Sequence, residues 1–181
     1  TGVNKVYDGG TVATVTTTDN RVAGDEFDIA RTAAFGDKNV GGGKAVSVTG
    51  VSLSGTDANN YTVAATGSTT ANITPRTLVV TYSGNNKVYD GGTVATVGTT
   101  DDRVAGDVLT IARTAAFADK DVANGKAVSV TDVSLSSTDA GNYTVAATGS
   151  TTADITPRTL TVTYGGVDKV YDGTQAADVT T

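Results

Sequence analysis

Hydrophobic and polar residues alternate with a period of two along most of the chain. Segment 126–135 alternates over its full length, and its apolar face changes sides near Thr131 and Asp132. Such alternation is typical of strands with one buried face, and the change of face predicts a β-bulge. The apolar positions of this segment are Val128, Val130, Val133 and Leu135.

Further segments with the same alternation predict an all-β protein. The predicted strands are 77–82, 108–117, 142–147, 152–156 and 159–164. Segments 105–107 and 118–125 are rich in Gly, Asp and Asn and predict turns between strands. No window has a convincing helical period. Six or seven short strands separated by turns favour a small β-sandwich.

An internal repeat organises the chain. KVYDGG begins at Lys5 and again at Lys87, and KVYDG begins at Lys169, so the period is 82 residues. Segments 5–82 and 87–164 are identical at 64 of 78 positions without a gap. Solenoid units run to about 50 residues, so this period indicates tandem small domains, each with its own core.

The two prolines of the chain predict where one unit ends. Pro75 and Pro157 follow the Ile-Thr pair of each repeat, and a proline interrupts a hydrogen-bonded strand pair because it has no amide donor. We therefore expect a first repeat at 1–75 that lacks its opening strand, a complete repeat at 76–157, and the start of a third repeat at 158–181.

A tyrosine near the end of each repeat sharpens the fold prediction. Asp139 and Tyr143 have the D-x-G-x-Y spacing of a tyrosine corner, in which the hydroxyl bonds to upstream backbone. Asp57 and Tyr61 are the first-repeat copies. The spacing favours tandem immunoglobulin-like sandwiches, with β-grasp-like modules as the alternative.

The KVYDG motif has two interpretations. Asp90 and Gly91 are typical of a tight turn, in which glycine supplies a positive φ and Tyr89 packs inward. The alternative is ligand binding through Tyr89 and Asp90. We favour the turn.

The composition excludes several classes of function. The chain has no Cys or His, so it has no thiol nucleophile, no His base and no zinc site of the usual type. Its net charge of −6 argues against nucleic acid as a partner. No apolar stretch is long enough to insert into a membrane as a helix. We expect a protein that is not an enzyme.

Calcium is the one cofactor that the acidic loops could bind. Ca²⁺ takes six to eight oxygen ligands from carboxylates and carbonyls. The candidate ligands are Asp101, Asp102, Asp107, Asp119 and Asp121. No EF-hand spacing is present, and Glu26 is the only glutamate. Solvated turns are the simpler interpretation of these residues, and we expect no other cofactor.

Several motifs in fixed order resemble a known family. KVYDGG, VAGD, AFADKDVANGKAVSVTDVSLSSTDAGNYTV and ADITPRTLTVTY are similar to the YDG-type repeat of large bacterial surface adhesins and exoproteins, including those of two-partner secretion. The resemblance implies an extracellular or cell-surface location and a role as a stalk module. It carries no catalytic residues to transfer.

The favoured function is therefore a structural spacer that projects a distal adhesive region. The neighbouring repeats of the same chain are its expected partners. One alternative is a multivalent binding module for host glycan or matrix, in which weak sites add by avidity. Another is a filament subunit that lends its unused opening strand to other copies.

Overall fold

The computed structural model describes residues 1–181, and the prediction of an all-β protein is confirmed. The chain forms sixteen strands, and its helical residues lie in two short 3₁₀ turns, Ala58–Asn60 and Ala140–Asn142. The strands are β1 (Gly2–Val3), β2 (Lys5–Val6), β3 (Thr14–Val15), β4 (Asp28–Phe35), β5 (Gly41–Ser54), β6 (Gly67–Thr74), β7 (Arg76–Leu78), β8 (Val80–Gly84), β9 (Lys87–Val88), β10 (Val97–Asp101), β11 (Thr110–Phe117), β12 (Ala123–Ser136), β13 (Tyr143–Val145), β14 (Gly149–Thr156), β15 (Gly165–Gly166) and β16 (Val179–Thr180). No helix has the length and apolar character needed to cross a bilayer.

Each repeat is built around one four-stranded sheet. The strand order is β2-β6-β5-β4 in the first repeat and β9-β14-β12-β11 in the second. The long strands pair antiparallel, whereas β2 and β9 pair parallel with β6 and β14. The two sheets have the same topology because the two sequences carry the same alternation.

The bulge expected from the change of apolar face is confirmed. Between β11 and β12 the register shifts where Ala112 pairs with Ser134 and Thr114 pairs with Thr131. Asp132 in this bulge has a φ of 55°. Gly50 holds the same position in the first repeat with a φ of 62°. The extra residue lets Val130 and Val133 both face the core, where 0% and 6% of their surfaces are exposed.

The segment after Pro75 belongs structurally to the second repeat. β7 pairs in parallel with β13, and β8 pairs antiparallel with β10. Only Pro75 separates the end of β6 at Thr74 from the start of β7 at Arg76. The chain thus passes from one repeat to the next without a loop. The division of the chain at its two prolines stays a prediction.

The buried residues form two clusters, and one of them spans both repeats. It joins first-repeat residues to Leu78, Leu109 and Tyr143 of the second repeat. Its first-repeat members are Tyr7, Val15, Phe35, Val46, Ala71 and Ile73. The other cluster lies within the second repeat and contains Ala95, Val97, Phe117, Val128, Val130, Val133, Ala153 and Ile155. The first core therefore continues across the boundary between repeats.

The strand predicted at 159–164 is wrong for this structure. Residues 158–164 are exposed and lie outside the strands, although the nearly identical segment 76–82 forms β7 and most of β8. Alternation specifies a strand only where a partner strand and a buried face are available. Beyond residue 157 the only strands are the short pair β15 and β16.

Candidate functional site at the junction of the repeats

One buried carboxylate lies at the centre of the contact between the two repeats. The hydroxyl groups of Tyr7 and Tyr143 each donate a hydrogen bond of 2.7 Å to Oδ2 of Asp107. The ammonium group of Lys38 donates a bond of 2.6 Å to Oδ1 of Asp107. Tyr7 and Lys38 belong to the first repeat, and Asp107 and Tyr143 belong to the second. The carboxylate thus ties the two repeats together.

Lys38 contacts a second carboxylate of the second repeat. Its Nζ lies 3.2 Å from Oδ1 of Asp139 and 5.8 Å from the centre of the Tyr7 ring. Asp139 in turn accepts a bond of 2.9 Å from the backbone amide of Val108. One half-buried cation of the first repeat therefore neutralises two buried carboxylates of the second repeat.

The rim of the junction is polar and also paired. The side-chain oxygen of Asn142 accepts a bond of 2.9 Å from the amide of Val40, and its nitrogen donates a bond of 3.3 Å to Asn39. The rings of Tyr7 and Tyr143 meet edge to face, with centroids 5.4 Å apart. The contact therefore combines packing with directional bonds, which fix the relative orientation of the repeats.

Two turns of the second repeat hold the acidic side of this site in place. Gly106, with a φ of 91°, lets the chain reverse so that the amide of Asp107 bonds to the carbonyl of Val104. The hydroxyl of Tyr143 accepts a bond of 2.9 Å from the amide of Val104. This is the link to upstream backbone that a tyrosine corner makes, and it places Tyr143 beside Asp107.

Burial and hydrogen bonding act in opposite directions on the charge of Asp107. Burial disfavours the ionised form, but the bonds from Lys38, Tyr143 and Tyr7 outweigh it and hold the pKa of Asp107 below its usual value. Burial and the neighbouring carboxylate raise the pKa of Tyr143 to about 12. Hydrogen bonds to Asp107, Tyr7 and Asp139 raise the pKa of Lys38. At neutral pH Asp107 is therefore a carboxylate, Lys38 is an ammonium and both phenols are neutral.

The same residues recur, without these contacts, at the other end of each repeat. In the first repeat Tyr61 donates a bond of 2.5 Å to Asp25 and accepts one from Val22, but no residue of another repeat reaches this pair. In the second repeat Lys120 is exposed, and the hydroxyl of Tyr89 makes no hydrogen bond. The chain thus contains one complete junction. The acidic side of such a junction recurs in the first repeat, and its basic side recurs in the second repeat, each without contact to another repeat.

The predicted calcium ligands do not converge on one point, and four of them are paired with basic side chains. Asp101 pairs with Arg103 at 2.6 Å, Asp102 pairs with Arg76 at 3.0 Å, and Asp119 pairs with Lys126. Asp107 lies in the junction, and Asp121 donates its amide to Asp119. No group of three or more acidic side chains in the structure is arranged to hold a metal ion. The calcium site stays a prediction without a cluster to support it.

The KVYDG motif forms a tight turn in the structure. Gly91 has a φ of 81°, and Asp90 accepts bonds from the amide of Gly92 and from Lys87. Lys87 Nζ also donates to the carbonyls of Gly92 and Val94. The copy in the first repeat makes the same bonds, with the added contact of Tyr7 to the next repeat.

The other predicted structural residues divide between the two repeats. Asp57 accepts a bond of 2.9 Å from the amide of Glu26, as Asp139 does from Val108. Pro75 and Pro157 each follow the last strand of a four-stranded sheet. Pro75 leads directly into β7, whereas Pro157 leads into exposed chain.

Sequence reasoning missed the basic half of the junction. Lys38 is the copy of Lys120, which lies in the segment 118–125 predicted as a turn, and Tyr7 is the copy of Tyr89, for which the sequence predicts only inward packing. The available signal was that Tyr7, Lys38, Asp25 and Asp57 all recur as identical residues 82 positions later. Their role becomes visible only when the topology brings opposite ends of two repeats together.

The repeat unit matches a known family. The YDG domain matches residues 1–71 and again residues 74–153, and the chain belongs to this family. No curated protein and no solved structure matches the chain.

Proposed function

We propose that this chain is a spacer segment of a bacterial cell-surface or secreted adhesin, in which stacked YDG domains hold a distal adhesive region away from its anchor. Each repeat would be a small immunoglobulin-like sandwich. The main support for the proposal is the junction between the two repeats. A one-residue linker and a buried carboxylate bonded by both repeats restrict rotation and bending between them.

The surface of the chain supports an extended arrangement. The structure exposes 11510 Å² and buries only 20 of its 181 residues. A single compact globule of this mass would expose about 8,000 Å². The excess exposed surface is consistent with small domains arranged in a row and an exposed segment at 158–181. The net charge of −6 would also keep a dense array soluble.

The aromatic residues favour a spacer over a glycan-binding module. Sugar recognition by stacking needs exposed rings, but within the repeats four rings are buried and the other four are partly buried: Tyr7, Phe35, Phe117 and Tyr143, and Phe27, Tyr61, Tyr82 and Tyr89. Tyr164 and Tyr171 are exposed, yet they lie in the segment after Pro157 and outside the two repeats. A binding module would need another kind of site, and a pull-down of the chain on glycan and matrix arrays would reveal it.

Small-angle scattering tests the spacer proposal. A compact chain of this length would have a radius of gyration of about 16 Å. We expect a clearly larger value, with the distance distribution of two rigidly joined bodies, measured at low concentration. The Asp107→Asn chain should keep two folded repeats but show a broader distribution. A compact wild-type particle would overturn the proposal.

A further inference from the structure

The second repeat contains the only Asn-Gly pair of the sequence, at the start of β12. Asn124 and Gly125 are both exposed, and the side chain of Asn124 makes no hydrogen bond. Gly125 has a φ of 61°, and nothing lies within 4 Å of the place that a side chain would take. A glycine leaves its backbone nitrogen unshielded, so this nitrogen can reach the side-chain carbonyl carbon of the asparagine before it.

A carboxylate is bonded to this nitrogen. The amide of Gly125 donates a hydrogen bond of 2.7 Å to Oδ1 of Asp154. The other oxygen of Asp154 accepts a bond of 3.1 Å from the side-chain nitrogen of Asn86, whose oxygen accepts a bond of 2.8 Å from the Asp154 amide. Asp154 is therefore held with one oxygen on the proton that a general base would remove.

The first repeat has the same turn without either reactive group. The pair 42–43 is Gly-Gly, and Asn72 takes the place of Asp154. Gly43 has a φ of 60°, and its amide donates a bond of 2.7 Å to the side-chain oxygen of Asn72. The two turns therefore share their backbone geometry and differ in chemistry, since the first has no asparagine to be attacked and no base.

The carboxylate also lies beside the asparagine side chain. A methyl group added at Gly42 would lie 3.8 Å from Oδ1 of Asn72. Because the two turns have the same φ and the same hydrogen bond, the Cβ of Asn124 lies at a similar distance from Oδ1 of Asp154. The attacking nitrogen, the base and the side-chain amide are thus close together.

We propose that Asn124 is a site of spontaneous deamidation, with Asp154 as the base. Asp154 takes the proton of the Gly125 amide as the nitrogen bonds to Cγ of Asn124. The Cγ–Nδ2 bond then breaks, and ammonia leaves with that proton, so that a cyclic imide remains. Water opens the imide to an aspartate or to an isoaspartate. The reaction consumes one water, releases one ammonia and needs no oxidant or cofactor.

The modification would change the second repeat and leave the first unchanged. Each event adds one negative charge near Asp154, and an isoaspartate also adds one carbon to the main chain. The register of β12 against β14 already shifts between Ala123 and Lys126, so the added carbon lies in an irregular part of the ladder. We expect the repeat to stay folded while the chain becomes more acidic with age. This inference goes beyond a spacer role and does not depend on it.

Peptide mapping of the aged full chain tests the site. The chain is incubated at neutral pH and then digested briefly in mild acid with a protease that cleaves after lysine. The digest releases segment 121–126, which contains Asn124, and its copy, segment 39–44, which has no Asn-Gly pair. Deamidation raises the mass by about 1 Da, and chromatography separates the isoaspartate form. We expect segment 121–126 to be modified with time and segment 39–44 to stay unmodified.

The variant Asp154→Asn tests the base. It should keep the turn, because Asn72 accepts the same bond in the first repeat. Deamidation of Asn124 should become about tenfold slower in the folded chain. Asp102→Asn is the matched control, since it also gives the second repeat the asparagine of the first and removes one charge outside this turn. In concentrated urea the wild type and Asp154→Asn should react equally fast, because the carboxylate no longer meets the amide.

Transfer of the site to the first repeat is the complementary test. Gly42→Asn creates an Asn-Gly pair beside Asn72, and the added side chain fits because its nearest neighbour is 3.8 Å away. With Asn72→Asp as well, position 42 should deamidate as fast as Asn124, and without it about tenfold more slowly. An Asn124 that keeps its amide in the folded chain while it reacts in urea would overturn the inference. Equal rates in folded wild type and folded Asp154→Asn would overturn it as well.

Discussion

Tyr7 and Asp107 are 100 residues apart in sequence, yet the tyrosine hydroxyl lies 2.7 Å from the carboxylate across the junction of the two repeats. The tyrosine is 1% exposed and the aspartate is 8% exposed. Each belongs to a motif that occurs in both repeats, but only these two copies meet. Paired copies of one residue, one at the junction and one away from it, provide matched controls for most of the predictions below.

Asp107→Asn should destabilise the chain by about 2 kcal/mol, because two phenols and an ammonium lose a buried charged acceptor. Chemical denaturation monitored by tyrosine fluorescence measures the change. Asp25→Asn is the control, since Asp25 accepts only from Tyr61 of its own repeat. An equal loss of stability in the two variants would contradict the role assigned to the junction.

Tyr7→Phe should cost about 1 kcal/mol, the usual net value of one hydrogen bond, because the ring and its packing on Tyr143 remain. Tyr89→Phe should have almost no effect, since the Tyr89 hydroxyl makes no hydrogen bond. Thermal unfolding of both variants at low concentration checks this pair. A Tyr89→Phe chain as unstable as Tyr7→Phe would show that the hydroxyl bond at the junction is not what matters.

The junction should open at both extremes of pH. The pKa of Asp107 is lower in the folded chain than the ordinary aspartate value of 3.8, so its contribution to stability is present above that value and is lost as the pH falls through the folded pKa. The pKa of Tyr143 is raised from 10.0 to about 12, so its contribution is present below 10 and is lost as the pH rises towards 12.

Scattering as a function of pH measures this opening. We expect a stiff particle between these limits and greater flexibility outside them. The Asp107→Asn chain should lack the acid transition at the junction. If the acid transition is unchanged in this variant, carboxylates other than Asp107 are responsible for it.

Gly149→Ala should destabilise the second repeat by about 1–3 kcal/mol, because a methyl group at this position would collide with the ring of Tyr82. Gly67→Ala should be nearly neutral for a single chain, since nothing lies within 4 Å of the added carbon. Differential scanning calorimetry at low concentration compares the two.

Removal of calcium should leave the melting temperature unchanged. Asp101, Asp102 and Asp119 already pair with arginine or lysine side chains, so these carboxylates are not left without counter-charge. Thermal melts in chelator and in millimolar calcium test this expectation. A rise of several degrees with calcium would instead support the acidic loops as metal ligands.

Local pattern was sufficient to predict the long strands of the repeats but not the short strands β9 and β10 or the assembly of the repeats. The alternation in segment 126–135 predicted both the strand β12 and its bulge, because these depend on which side chains face the core. The strands predicted at 77–82 and 159–164 have nearly identical sequences, but the first segment forms parts of β7 and β8 and the second forms no strand. The two segments differ in whether a partner strand is available. Leu78 pairs with β13, whereas no strand lies beside Leu160.

The junction was not predicted for a related reason. An aspartate in a glycine-rich turn reads as solvated, and Asp107 becomes buried only when Tyr7 and Lys38 of the neighbouring repeat cover it. Its first-repeat copy, Asp25, has the same local sequence and stays partly exposed. Burial of this carboxylate depends on the neighbouring repeat, and the local sequence pattern contains no information about that contact.

Parallel pairing near the two ends of the second repeat has a mechanical consequence. The repeat begins with β7, which runs parallel to β13, and finishes with β14, which runs parallel to β9. A force that pulls Pro75 and Pro157 apart would slide these strands past each other, so their hydrogen bonds would be loaded together in shear. Such a repeat should yield at higher force than one whose terminal strands peel apart bond by bond.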